Sequence, residues 1–281
     1  AMHPPTVTWA PHLYTNIGRR NFDTRLRAGF DNVTVTPNPK VHALLTRLSF
    51  QNLLHPFQPF VLGQRSLAPK MAKALDIELV MFGELDDDYE GEGSGWQEKQ
   101  EGFDHPHVGN LCMGGVPYFD LINVHGLTTH DLHLYMPAVT NVEVRALGSF
   151  IRWDPQAAYY FACQHGFEAN EHRTEGTFTK YASIDDKLDP LHYWTMLIKF
   201  GVGRASHDAS HEIRNGRITR EEGVALVRRY DTEEPRRYLL DCLAYMGLTL
   251  AEYQATIDRY REASGLWEHV EGQWRLREQV S

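Results

Sequence analysis

Asn32–Phe50 reads NVTVTPNPKVHALLTRLSF, and its two halves favour different backbones. Asn32 to Thr36 is rich in β-branched residues, whose stiff side chains suit a pleated strand. Pro37 interrupts that run. Asn38 can cap a helix that begins at Pro39, where the missing N–H costs nothing because the first turn has no acceptor for it. Val41, Leu44, Leu45 and Leu48 recur at helical spacing and give the helix one apolar face. A strand leading directly into a helix is the repeating unit of an α/β fold.

The same alternation continues on both sides. Thr6-Val7-Thr8-Trp9 predicts a strand stopped by Pro11, followed by a helix over Gly18 to Ala28 that Gly29 ends. Downstream, the pattern predicts a helix between Pro59 and Leu75, broken near Pro69, and a short strand over Glu78 to Phe82. Val142 to Arg145 alternates as a further strand. Strands alternating with helices predict a mainly parallel sheet covered on both faces. Ligands of such sheets sit beyond the carboxyl ends of the strands. That rule makes Glu84 a candidate cofactor contact, and Asp87, within Asp86–Asp88, a candidate oxygen ligand for magnesium. A solvated acidic loop is the alternative. Tyr89 to Gly102 is glycine-rich and polar, a loop that either covers a strand-end site or lies passively on the surface.

Composition excludes several classes. With 28 Lys and Arg against 37 Asp and Glu, the chain carries a formal charge of −9, unlike a general nucleic-acid binder. Three widely spaced cysteines, Cys112, Cys163 and Cys242, form no CxxC pair and support a reducing, cytoplasmic setting. No apolar run approaches the roughly 18 residues that a membrane span needs. His105, His107, His130 and Asp131 suggest a rival reading as a metal hydrolase, although their spacing matches no standard zinc template.

Residues 151–281 read as a helical extension of an α/β domain covering 1–150. Asp154 caps a predicted helix with Pro155 at its first position and Gly166 beyond its end, and Tyr159, Tyr160 and Phe161 are expected in its core-facing surface. Thr174 to Glu222 is the densest stretch in acids, bases and donors. Lys180, Ser183, Asp185, Asp186 and Lys187 precede an apolar helix that ends at Gly201 or Gly203. Arg204 and Asp208 then lie four apart, as do His207 and His211, so each pair shares a helix face. Taken alone, such pairs are exposed ion pairs worth about 0–1 kcal/mol. Thr219-x-x-Glu222 and Thr249-x-x-Glu252 are capping boxes, with a structural role only.

The segments RWDPQ (Arg152 to Gln156), GFEAN (Gly166 to Asn170), RTEGTFTKYASIDDKLD (Arg173 to Asp189) and IKFGVGRASHDASHEIRNGRITREEGVALVRRYD (Ile198 to Asp231) resemble the bacterial N-acetyl sugar amidotransferases. TVTWAPHLYTNIGRRNF and TPNPKVHALLTRLSFQNLLHPFQPF are similar to the same family. The resemblance implies an adenine-nucleotide α-hydrolase-like (Rossmann-like) sheet of the PP-loop ATP pyrophosphatase group. It also implies ATP and magnesium as cofactors, a nucleotide-sugar substrate and a glutaminase partner that supplies ammonia. The reaction so implied turns an acetamido group into an acetamidino group in lipopolysaccharide or surface-polysaccharide synthesis. A non-catalytic scaffold subunit that docks the glutaminase, or completes a split enzyme, is the alternative.

Chemistry and position within the cluster then make Lys180, Asp185, Asp186 and Lys187 the candidate catalytic residues. Ser183, Arg204, Asp208 and Arg214 are the candidate substrate contacts, arginine's planar fork being suited to a diphosphate. Family members carry an SGGxDS-type phosphate loop ahead of the TVTWAPH segment, and this sequence contains none. The sheet is therefore expected to be incomplete at its N-terminus and the chain inactive by itself. Unpaired strand edges are expected to drive association into a homo-oligomer.

Overall fold

The computed structural model describes residues 4–83, 112–137 and 141–280. They form an α/β chain with small parallel sheets, in two compact units. The first unit comprises residues 1–10, 31–42 and 58–153, and the second residues 11–30, 43–57 and 154–281.

In the first unit, strand Thr6–Trp9 pairs in parallel with Asn32–Val35, and Leu79–Phe82 pairs in parallel with Glu143–Ala146. Among the described residues, the parallel sheet expected from the alternation is thus present as two two-stranded pairs. Asn38 caps the next helix, Pro39–Leu53, by accepting from the Lys40 N–H at 3.0 Å. Helix Gln58–Ala74 packs on both Thr6–Trp9 and Leu79–Phe82, with Gly63 directly under the Trp9 ring. It runs unbroken through Pro69, contrary to the break expected there. Pro69 is buried, so packing of its ring offsets the hydrogen bond that proline removes.

The second unit is mostly helical and holds one large apolar cluster. Helix Asp189–Phe200 turns Leu191, Trp194, Leu197 and Ile198 inward, and Gly201, at φ 75°, closes it in the left-handed conformation. Helix Leu250–Ser264 packs against it through Tyr253 and Ile257, and Phe50 stacks on Tyr253 with ring centroids 5.7 Å apart. Thr219 and Thr249 form the two expected capping boxes. The final hairpin, Trp267–Val270 with Gln273–Leu276, turns through Glu271 and Gly272, both at positive φ. Its Trp267 indole donates to the Ile198 carbonyl at 2.9 Å, tying the hairpin to the core.

The aromatic helix departs from expectation. Helix Pro155–Gln164 forms where predicted and Asp154 caps it, but it contains no buried residue. Tyr160 and Phe161 are exposed, so these aromatics do not face a core. Tyr159 stacks on Tyr181 at 4.5 Å, and Phe161 meets the His165 ring at 4.6 Å.

Candidate functional site

The site lies in the second unit and begins with how helix Arg204–Arg214 is started. Its cap position is Gly203, which has no side chain to satisfy the first N–H groups. Asp231 supplies the missing acceptor from a distant part of the chain. Its carboxylate accepts from the Gly203 N–H (3.0 Å), the Ser206 N–H (2.9 Å) and the Ser206 hydroxyl (2.7 Å). A Cβ on residue 203 would lie 2.7 Å from an Asp231 oxygen, so glycine is what allows this approach. The Ala205 N–H donates to the Gly176 carbonyl at 3.0 Å, joining the helix to the irregular segment before it.

One turn into the helix, Arg204 Nε donates to Asp208 Oδ1 at 2.9 Å. The other Asp208 oxygen accepts from the Thr177 hydroxyl at 2.5 Å and, more weakly, from Thr179 at 3.4 Å. The guanidinium lies 4.4 Å from the centre of the Tyr193 ring. The side chains of this pair are 17% and 9% exposed, so it is a buried pair, not the solvated one that spacing alone suggests. Burial opposes the charge of Arg204, but Asp208, Tyr193 and Asp189 hold its pKa above the ordinary value. Burial likewise opposes the Asp208 carboxylate, but Arg204, His207 and the Thr177 hydroxyl together outweigh it, keeping the group below the usual range.

Beside this pair is a cavity enclosing about 260 Å³ of empty space, part of it open to solvent. Ser183, Pro190, Tyr193, Trp194 and Arg204 form one part of its wall, and Glu175, Gly176, Asp231 and Glu233 the rest. Glu233 is held by a two-pronged bond to Arg173, at 2.5 and 2.8 Å. Glu175 accepts from the Arg237 N–H at 3.0 Å. Ser183 sits at φ 54°, a left-handed conformation that a serine seldom adopts.

The predicted site residues therefore separate. Ser183, Arg204 and Asp208 come together at or beside the cavity. Asp186 is buried nearby in sequence, its Oδ1 accepting from the Leu188 N–H at 2.8 Å, and burial pushes its carboxyl up to about 8. The Asp185 carbonyl accepts from the Thr15 N–H at 3.0 Å. Lys187 turns to Asp241, 2.7 Å away, and Lys180 is exposed. Arg214 is exposed and donates to the Ser210 carbonyl of its own helix at 3.3 Å. Glu84 and Asp87 lie outside the described residues, as do His105, His107 and the Tyr89 to Gly102 loop. His130 and His133 stack at 5.1 Å, and Asp131 is engaged in capping Thr128. Among the described residues, no three His, Cys, Asp or Glu side chains converge as a metal site.

Sequence reading missed the residues that hold the loop carrying Ser183 to Lys187. Leu13 O accepts from the Lys187 N–H at 2.9 Å, and the Thr15 hydroxyl donates to the Ile184 carbonyl. The same hydroxyl oxygen caps helix Asn16–Arg27 by accepting from the Gly18 N–H at 3.0 Å. Gly18 is pressed onto the loop, where a Cβ would lie 2.5 Å from the Asp185 Cα. Gly18→Ala is therefore expected to shift the loop and destabilise the chain by about 1–3 kcal/mol, the usual cost of overpacking. Urea denaturation checks this, and an unchanged midpoint would show that the loop has room to give. The only signal in the sequence was Thr15 ahead of a helix, a cap whose second bond cannot be read from spacing.

Residues 175–281 match the family model described as LPS biosynthesis protein WbpG-like, C-terminal domain. The match fits the resemblance and overlaps two of the segments that carry it, Arg173 to Asp189 and Ile198 to Asp231. No curated protein matches the chain.

Proposed function

We propose that this chain serves lipopolysaccharide biosynthesis as part of an ATP-dependent amidotransferase that converts an acetamido group of a nucleotide sugar into an acetamidino group. One observation carries this reading: the residues matched by the lipopolysaccharide-biosynthesis family are those that build the Arg204–Asp208 pair and its cavity. An amide oxygen is a poor leaving group, and ATP would supply the activation that lets ammonia displace it. A glutaminase partner would deliver that ammonia, and a Rossmann-like PP-loop sheet would hold the nucleotide. The parallel strand pairs of the first unit are compatible with such a sheet. The chain's own contribution is to bind and orient the sugar next to a buried, permanently charged arginine.

The test is to incubate the chain, joined to a segment that carries an SGGxDS-type phosphate loop, with a nucleotide sugar bearing an acetamido group, ATP, magnesium and an ammonium salt, with and without a glutaminase. Mass spectrometry would then seek the small decrease expected when oxygen is exchanged for NH, together with AMP and pyrophosphate. ADP and orthophosphate as the nucleotide products, or no exchange under either condition, would sink the reading.

A further inference from the structure

Helix Pro155–Gln164 carries its apolar side outward. A surface helix ordinarily turns such a stripe to the core and its charges to water. Here Asp154 and Arg217, 2.5 Å apart, and the stack of Tyr159 on Tyr181 hold the helix from one side. Ala157, Tyr160, Phe161 and Gln164, spaced as one helix face, are all exposed, Phe161 at 64%. No Asp, Glu, Lys or Arg occurs from Pro155 to Phe167.

The end of this helix meets a second, basic one. Phe161 lies 4.6 Å from the His165 ring, and a Cβ on the next residue, Gly166, would stand 2.8 Å from the Thr24 methyl. The Glu168 backbone exchanges bonds with the Asn21 amide at 2.8 and 2.9 Å, and its carboxylate accepts from Arg20 at 3.0 Å. Arg20, Thr24 and Arg27 recur at helical spacing, so the face of helix Asn16–Arg27 that meets Gly166 and Glu168 carries two of its arginines. Arg19, Arg20, Arg25 and Arg27 are exposed, against Asp23 as the one acid of that helix, in a chain of net charge −9.

We infer that this surface seats on an anionic lipid bilayer, with the Tyr160 and Phe161 rings at headgroup level and the arginines on lipid phosphates. Among the described residues no helix is long and apolar enough to cross a membrane, so the contact is peripheral. Aromatic rings favour the bilayer interface, and the planar fork of arginine matches phosphate oxygens. A short apolar face or a basic patch binds weakly by itself, and the two together make a stable contact. A second copy fits this surface less well, because a two-fold pairing would bring the arginines of one helix towards those of the other. The acidic remainder of the chain is repelled by the same lipids, which fixes the side that approaches.

Cosedimentation of the full chain with vesicles tests the assignment without ATP, sugar or glutaminase. Binding is expected to phosphatidylcholine vesicles containing about 30% phosphatidylglycerol, not to phosphatidylcholine alone, and is expected to fall as salt screens the charges. Arg27→Gln is expected to weaken binding about fivefold and Phe161→Ser about tenfold. Arg236→Gln removes an exposed arginine from outside both helices and is expected to change nothing. All these positions are exposed, so the variants keep the fold, as circular dichroism checks. Equal binding to both vesicles, no binding to either, or an equal loss in Arg236→Gln would each overturn the assignment. So would a concentration-dependent dimer, seen by light scattering, that Phe161→Ser abolishes while vesicle binding stays unchanged.

Discussion

Arg204→Met is expected to destabilise the second unit by about 3–5 kcal/mol, the usual cost of removing one member of a buried ion pair. The magnitude follows from what remains. Asp208 would stay buried with Thr177 and Thr179 as its hydroxyl donors, but without the cation that holds it ionised. Asp189 also faces the guanidinium and would lose its favourable partner. The methionine stem can replace much of the packing on Tyr193, so the loss reports on charge more than on volume. Asp208→Asn in the Arg204→Met background should recover part of it, since no lone buried carboxylate is then left at that position. Chemical denaturation of the single and double variants measures both effects. A single-variant loss below about 1 kcal/mol would mean that the pair behaves as a solvated one.

Asp186→Asn is expected to act in the opposite direction, stabilising the protein at alkaline pH. Burial raises the Asp186 carboxyl from its ordinary 3.8 to about 8. Between those values the folded chain keeps a proton that the unfolded chain releases. The contribution of Asp186 to stability is therefore fully present below about pH 4 and is lost as pH rises towards 8. Asparagine removes that dependence while keeping an acceptor for the Leu188 N–H. Unfolding at pH 8 should require at least about 1 kcal/mol more for the variant than for the parent chain, with no such gain near pH 4. Burial raises Asp189 as well, so some slope should remain in the variant. An equal difference at both pH values would show that Asp186 does not hold its proton.

Much of the local structure was legible because its causes are local. Asn38-Pro39, Asp154-Pro155, Thr219 and Thr249 each mark a helix start through contacts within one turn, and all four were read correctly. Helix Leu239–Met246 and the Trp267–Leu276 hairpin were not anticipated, although Glu271-Gly272 is a turn signal between aromatic runs. Pro69 misled in the other direction, because burial of a proline ring is a tertiary fact. The aromatics of Pro155–Gln164 misled for a related reason: composition does not say which face of a helix finds a partner.

The sequence by itself determined the alternation of strands and helices and the caps that begin the helices, and it carried the resemblance that the family match over residues 175–281 fits. It also placed Arg204 and Asp208 on one helix face. Only the tertiary structure decided that this pair is buried, that Asp231 caps its helix from beyond the next one, and that Lys180, Lys187 and Arg214 take no part in the cavity wall. The reason lies in range. Helix periodicity and capping are settled over three or four residues, whereas burial depends on segments far apart in the chain. Asp208 becomes a buried carboxylate because Thr177 and Thr179, some thirty residues earlier, close over it.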